Sequence, residues 1–388
     1  MMIRTITRLR NPLRHLAALA LVTVLAACQV GLPGATGPRV GGGSVEVALL
    51  VPYNSAQAGD DLVARSIENA ARLAASEISD IAVDITVYPT AGIPEQAASV
   101  AEQAVREGAD IIVGPLRSDA AAAAGVAARG RVNVLSFSNN SGVAGGNVFV
   151  LGTTFDNTAN RLVSYAASQG RNQIVVVYAQ NLAGEVARDA ILRAAPFAGA
   201  SVVQSVPYEF SGNGVVQALP AVMDAVRSTG ANAIFITSDT TGALPLFAQL
   251  LPENGLDTEA VRVIGMTRWD TPPQTLELSG LQGGWFALPD PAASSGFEAR
   301  YASAYGEPPH VLAALGYDAI QLVAQTALQS GQLGAADLVA NAGIRGANGV
   351  FRLNADGTST RALAVAEVID SQVTIRDPAP GSLGGPGL

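Results

Sequence analysis

The stretch Asp110-Ile111-Ile112-Val113-Gly114-Pro115-Leu116-Arg117-Ser118-Asp119 changes character halfway along. Ile111 to Val113 are β-branched and read as a buried strand. Gly114-Pro115 ends it, and Ser118 opens an alanine-rich run through Ala128 with the composition of a helix. A strand that empties through a short turn into a helix is the repeating unit of a parallel sheet, because parallel neighbours must be joined by a long crossover. The same unit recurs on both sides. Val45 to Val51 reads as a strand stopped by Pro52; Val63, Ile67, Ala70, Ala74 and Ile78 follow at helical spacing. Ile81 to Val87 alternates as a strand, and Pro94 to Arg106 predicts a helix with proline in its first turn. Val132 to Phe137 predicts a fourth strand. The alternation restarts after Phe155, with strands expected at Gln173–Tyr178, Ser201–Pro207, Asn232–Thr237 and Val261–Gly265, each separated by a helical run.

The remaining segments differ. Phe297–Tyr305 and Val311–Ser330 are expected to be helical. Gly349–Leu353, a turn at Asn354–Gly357 and Ala362–Ile369 together read as a β-hairpin, and Asp377–Leu388 as a glycine- and proline-rich frayed end. At the other end, Arg4, Arg8, Arg10 and Arg14 precede the apolar run Leu16–Ala27, which closes on Leu25-Ala26-Ala27-Cys28. A basic segment, a short apolar segment and small residues make a secretory signal. That run is shorter than the roughly 20 apolar residues that span a bilayer. The tetrapeptide resembles a bacterial lipobox, which implies lipidation of Cys28 and anchoring to a membrane. Gln29 to Gly43 then reads as a flexible tether.

Charge narrows the possible partners. The chain carries 23 basic and 32 acidic residues. Without the four signal arginines the balance is 19 against 32, a net −13, which repels nucleic acid. Lysine is absent, which excludes a Walker phosphate loop and a lysine Schiff base. Cys28 is the sole cysteine, and the two histidines are His15, in the signal, and His310. No internal disulfide and no histidine-rich zinc site can be assembled from these, and no cofactor is expected. His310, between prolines and a helix, reads as a helix-start surface residue. The motifs G-x-S-x-G, H-E-x-x-H and G-x-G-x-x-G are absent, so no enzyme is indicated.

In an open parallel sheet, ligands bind beyond the carboxyl ends of the strands. Those loops carry Ser118, which could cap its helix or meet an anion, and the polar turn Ser136-Phe137-Ser138-Asn139-Asn140-Ser141. In the second half they carry Tyr178, Asp239 and Thr267-Arg268-Trp269-Asp270. An aromatic platform with one acid and one arginine suits a zwitterion. Trp269 could equally lie in a core.

Four segments in this order and spacing, VEVALLVPYN (Val45–Asn54), ADIIVGPLRSDA (Ala109–Ala120), VNVLSFSNNS (Val132–Ser141) and NQIVVVYAQN (Asn172–Asn181), together with Gly316-Tyr317-Asp318-Ala319, resemble the type I periplasmic binding fold in its leucine-binding-protein-like branch. The resemblance implies an α/β protein of two Rossmann-like lobes with parallel sheets, joined by three hinge crossovers near Thr154, Pro289 and Gly346. On that basis residues 1–27 are the signal peptide and 28–43 the tether. Residues 44–154 with 290–346 form lobe one, 155–289 with 347–374 form lobe two, and 375–388 are a disordered tail. It also implies a ligand-binding cleft in which Ser118 and Ser138 meet a ligand carboxylate, with Asn139 beside them, and in which Tyr178, Asp239, Arg268 and Trp269 lie where its amine is held. Asn139-Asn140 departs from the small, threonine-containing turn of amino-acid binders, which weighs against free amino acids. Gln29 and the hairpin Gly349–Val368 further resemble the penicillin-binding protein activators. These are outer-membrane lipoproteins whose partner would be a class A penicillin-binding protein. The alternative is a substrate-binding protein of an ABC importer for amino acids or small amides.

Overall fold

A computed structural model describes residues 43–383. Cys28, Gln29, the signal and the tether up to residue 42 lie outside the described residues, as do residues 384–388. The chain runs β1 (Ser44–Val51), α1 (Asp60–Glu77), β2 (Ala82–Pro89), α2 (Pro94–Arg106), β3 (Ile111–Val113), α3 (Ser118–Ala128), β4 (Val134–Ser136) and β5 (Val148–Val150). These five strands form one parallel sheet in the order β2-β1-β3-β4-β5. The second half continues α4 (Phe155–Ser168), β6 (Gln173–Ala179), α5 (Leu182–Phe197), β7 (Ser201–Tyr208), α6 (Gly212–Thr229), β8 (Ala233–Ile236), α7 (Leu244–Glu253), β9 (Arg262–Gly265) and β10 (Trp285–Leu288). Then follow α8 (Pro291–Tyr305), α9 (Ala313–Ser330), α10 (Ala335–Val339), β11 (Ile344–Gly346), β12 (Gly349–Leu353), β13 (Ser359–Arg361), β14 (Ala364–Ile369) and β15 (Gln372–Asp377).

The second sheet has the order β15-β14-β10-β9-β8-β6-β7. It is parallel from β7 to β10, and β14 and β15 add to it antiparallel. Side-chain alternation explains why both sheets are covered on two faces. In β1, Val45, Val47, Leu49 and Val51 enter a core shared with α1 and α9, while Ala48 and Leu50 enter another with α2 and α3. In β6, Val175 and Val177 face one core, and Ile174 and Val176 the other. Gly114 shows why the exit from β3 needs glycine. Its φ is +92°, and a Cβ there would lie 2.1 Å from the carbonyl oxygen of Leu50.

The α/β architecture in two lobes agrees with the reading of the sequence, and three details correct it. First, the expected hairpin is divided. β12 pairs with the short β13, whereas β14 joins β10 in the second sheet. Second, Phe351 and Leu353 pack into the core of the first lobe with Ile344, so the chain passes to the second lobe after Arg361 and not at Gly346. Third, the expected disordered tail begins too early. Residues 375–377 belong to β15, and Leu383 is buried against Val350 and Ala362. β5, β10 and β15 are strands the sequence did not announce. β5 and β10 are three and four residues long, too short for a period to register.

Two of the passages are tied together by a buried polar network. Asp318 of α9 is fully buried, and its Oδ2 accepts from Arg361 Nη1 at 2.7 Å. Arg361 Nε donates to the Leu151 carbonyl at 2.7 Å, and Asp318 Oδ1 accepts from the Ala347 amide at 2.7 Å. The Asn157 side chain accepts from the Arg361 amide at 2.8 Å and donates to the Ser359 carbonyl at 2.9 Å. The guanidinium also lies 4.7 Å from the centre of the Phe351 ring.

Candidate ligand-binding cleft

A cavity of about 650 Å³ opens between the lobes at the carboxyl ends of their strands. Phe137, Asn139, Phe297 and Leu315 come from the first lobe, and Met266, Arg268, Asp270 and Leu363 from the second. Gly152 to Thr154, Pro289 and Asn348, in or beside the crossovers, also line it. The wall is mostly apolar, with a few polar groups converging on it, as a small-molecule site requires. A second cavity of about 480 Å³ lies at the amino ends of β9 and β10. There Arg262 and Arg376 both reach Glu367, and Asp377 pairs with Arg161, so its charges satisfy one another.

Of the residues expected at the cleft, Asn139 and Arg268 line this cavity. Ser118, Ser138, Tyr178, Asp239 and Trp269 do not. Ser118 opens α3 without a side-chain capping bond. The hydroxyl of the buried Ser138 accepts from the Asn140 amide at 3.1 Å and so shapes its own turn. The Tyr178 ring stacks on the Arg188 guanidinium at 4.7 Å. Asp239 is exposed and accepts from Thr241 Oγ1 at 3.1 Å. Trp269 is fully buried beside Phe286, at 5.6 Å between ring centres, and is a core residue, not a platform in the cleft. Gly265 makes room for it: a Cβ at that position would lie 2.2 Å from Trp269 Nε1.

The cleft also holds pairings and side chains that the sequence reading did not place there. Arg268 Nε and Nη2 donate to the two oxygens of Asp270 at 2.9 and 2.6 Å, a side-on bidentate pair. That pairing, opposed by burial, raises the Arg268 pKa further. Glu298 on α8 adds a second carboxylate to the lining, and its charge also favours the Arg268 cation. His310 does precede a helix, as expected, but it also lines the cavity. Its Nδ1 accepts from the Leu312 amide at 3.2 Å, which fixes the neutral tautomer with the proton on Nε2. No local sequence signal marked His310 or Glu298, because their place in the wall is set by the return of α8 and α9 to the first lobe.

Burial holds the His310 pKa below the ordinary 6.5. Unfolding restores the ordinary value, so the unfolded chain takes up the proton first as pH falls. His310 therefore costs stability progressively below about pH 6.5, until the folded form is protonated as well. His310→Gln should show a smaller loss of stability than wild type between about pH 7 and pH 5.5, read from urea unfolding midpoints. An equal loss would show that the ring does not titrate differently on folding.

Two α/β lobes joined by three passages around a partly apolar cleft define a hinged binding protein. Residues 44–372 match the family described as periplasmic binding protein, and the chain belongs to that family. It is a family of solute-binding proteins, not enzymes. The fold is that of the type I members of leucine-binding type. No curated protein matches the sequence. Similar solved structures include a putative branched-chain amino acid ABC transporter protein from Rhodospirillum rubrum. It is 20% identical, with a TM-score of 0.71 over 86% of this chain and 99% of that one. An ABC transporter substrate-binding protein from Desulfitobacterium hafniense in complex with leucine is 20% identical, with a TM-score of 0.64 over 86% and 99%. A solute-binding protein from R. palustris in complex with benzoate is 17% identical, with a TM-score of 0.57 over 89% and 99%.

Proposed function

We propose that this protein is a non-catalytic solute receptor of the periplasm that closes its two lobes on a small ligand and delivers it to an ABC importer. The observation that carries this reading is the cavity at the crossovers, walled by residues from both lobes. The leucine and benzoate held by proteins of the same fold support a ligand of that size. A ligand bound only by the closed form stabilises the fold by mass action, by about 2.7 kcal/mol at a hundred times its Kd. A thermal-shift screen of small acids, amides and amines is expected to raise the melting temperature for a subset. Small-angle scattering with those hits should show compaction. A flat response across the panel would remove this reading.

Anchoring at the periplasmic face of the outer membrane, with a class A penicillin-binding protein as partner, is the second reading. Leu25–Cys28 and Gln29 support it from sequence. The hairpin that also motivated it is divided between the lobes. Mass spectrometry of the mature amino-terminal peptide should find an acylated Cys28. Pull-down of solubilised class A synthases that shows no enrichment would leave the solute receptor alone.

A further inference from the structure

We propose that the interlobe cleft selects a small amphipathic solute that lacks a free carboxylate, an amide or an amine with an apolar body. This rests on the solute-receptor reading and narrows it.

Four ionisable side chains line the cavity: Arg268, Asp270, Glu298 and His310. Arg268 is their single permanent cation, and its Nε and Nη2 edge is already occupied by both oxygens of Asp270. With His310 neutral, the lining carries one positive and two negative charges. A ligand carboxylate entering here loses its water and meets a net negative wall, which is unfavourable unless a free cation or several converging N–H and O–H donors receive it. At the helix starts that reach the cavity, several amides are already bonded. Thr154 Oγ1 accepts from the Asn157 amide at the start of α4. Asp290 Oδ1 accepts from the Ala292 amide at 2.9 Å at the start of α8. His310 Nδ1 accepts from the Leu312 amide just before α9. The serines that would cradle a carboxylate, Ser118 and Ser138, stand outside the lining.

The wall instead offers what an amide or amine uses. The fixed Nε2–H of His310 is a donor for a ligand carbonyl. The carboxylates of Asp270 and Glu298 are acceptors for ligand N–H groups. Phe137, Phe297, Leu315 and Leu363 supply an apolar surface for the body of the ligand.

The test is calorimetric titration of matched pairs that differ only in the acid group: benzoate with benzamide, leucine with leucinamide, and aliphatic acids with their amides. Wild-type protein should bind the preferred amide at least tenfold more tightly than its acid. Asp270→Asn frees the Arg268 guanidinium and should shrink that ratio at least fivefold. Arg268→Gln leaves Asp270 and Glu298 unopposed and should move the preference further toward the amine. Both side chains sit in a partly exposed loop, and circular dichroism with the ligand-free melting temperature confirms that the variants fold. Acids that bind wild type as well as or better than their amides would overturn this inference and leave the receptor reading standing. A ratio unmoved by both substitutions would also overturn it. Absence of binding by every pair, to all three proteins, would overturn the receptor reading and this inference together.

Discussion

Asp318→Ala is expected to lower folding stability by about 3–5 kcal/mol, the usual cost of removing one partner from a buried ion pair. Asp318 is fully buried, and Arg361 is nearly so. Removing the carboxylate strands a guanidinium whose Nη2 already lacks a partner and leaves its Nε bond to Leu151 as the remaining anchor. It also orphans the amide of Ala347. A lower urea midpoint would report the loss. The double variant Asp318→Leu with Arg361→Met should recover the part of it that lies in the unpaired charge, while the Ala347 amide and the Leu151 carbonyl stay without their partners. A single variant within 1 kcal/mol of wild type, on the order of an exposed pair's worth, would show that water reaches the network and that it does not tie the passages together.

Trp269→Ala should cost about 3–5 kcal/mol through the void left in the second lobe's core. Trp269→Phe should cost much less. The indole Nε1 is buried without a hydrogen-bond partner, so phenylalanine loses volume but no bond. The pair of substitutions separates a packing role from a ligand-contact role. For any solute that binds, the phenylalanine variant should keep its affinity within about twofold, well under the tenfold that 1.4 kcal/mol represents. A large loss of affinity with unchanged stability would return Trp269 to the cleft.

Periodicity made most of the architecture readable. Strands such as Val45–Val51 and Gln173–Tyr178 are continuous apolar runs because both faces of their sheets are covered, and the helices between them carry their apolar residues at a regular spacing. What escaped was set by contacts distant in sequence. Whether β14 returns to β12 or crosses to β10 depends on which sheet edge is open, not on the local pattern. The strand-end rule leads to the side of both sheets on which the cavity opens, and Asn139 and Arg268 line it. Yet it could not tell Trp269 from its neighbour Arg268, since burial along that loop follows from Gly265 admitting an indole ring. Glu298, His310 and Asn348 come to the cavity only because the chain travels back after β10. Arg268 itself was read as half of a zwitterion site, and the side-on bond from Asp270, two residues away, changes the chemistry it offers.

The late passage after Arg361 has a consequence for biogenesis. The first lobe lacks α9 until residue 330 has been made and Phe351 and Leu353 of its core until residue 353, and the second lacks two of its seven strands until residue 377. A chain made from its amino end therefore completes neither core before its return passages have been added, which ties the folding of each lobe to segments far along the sequence.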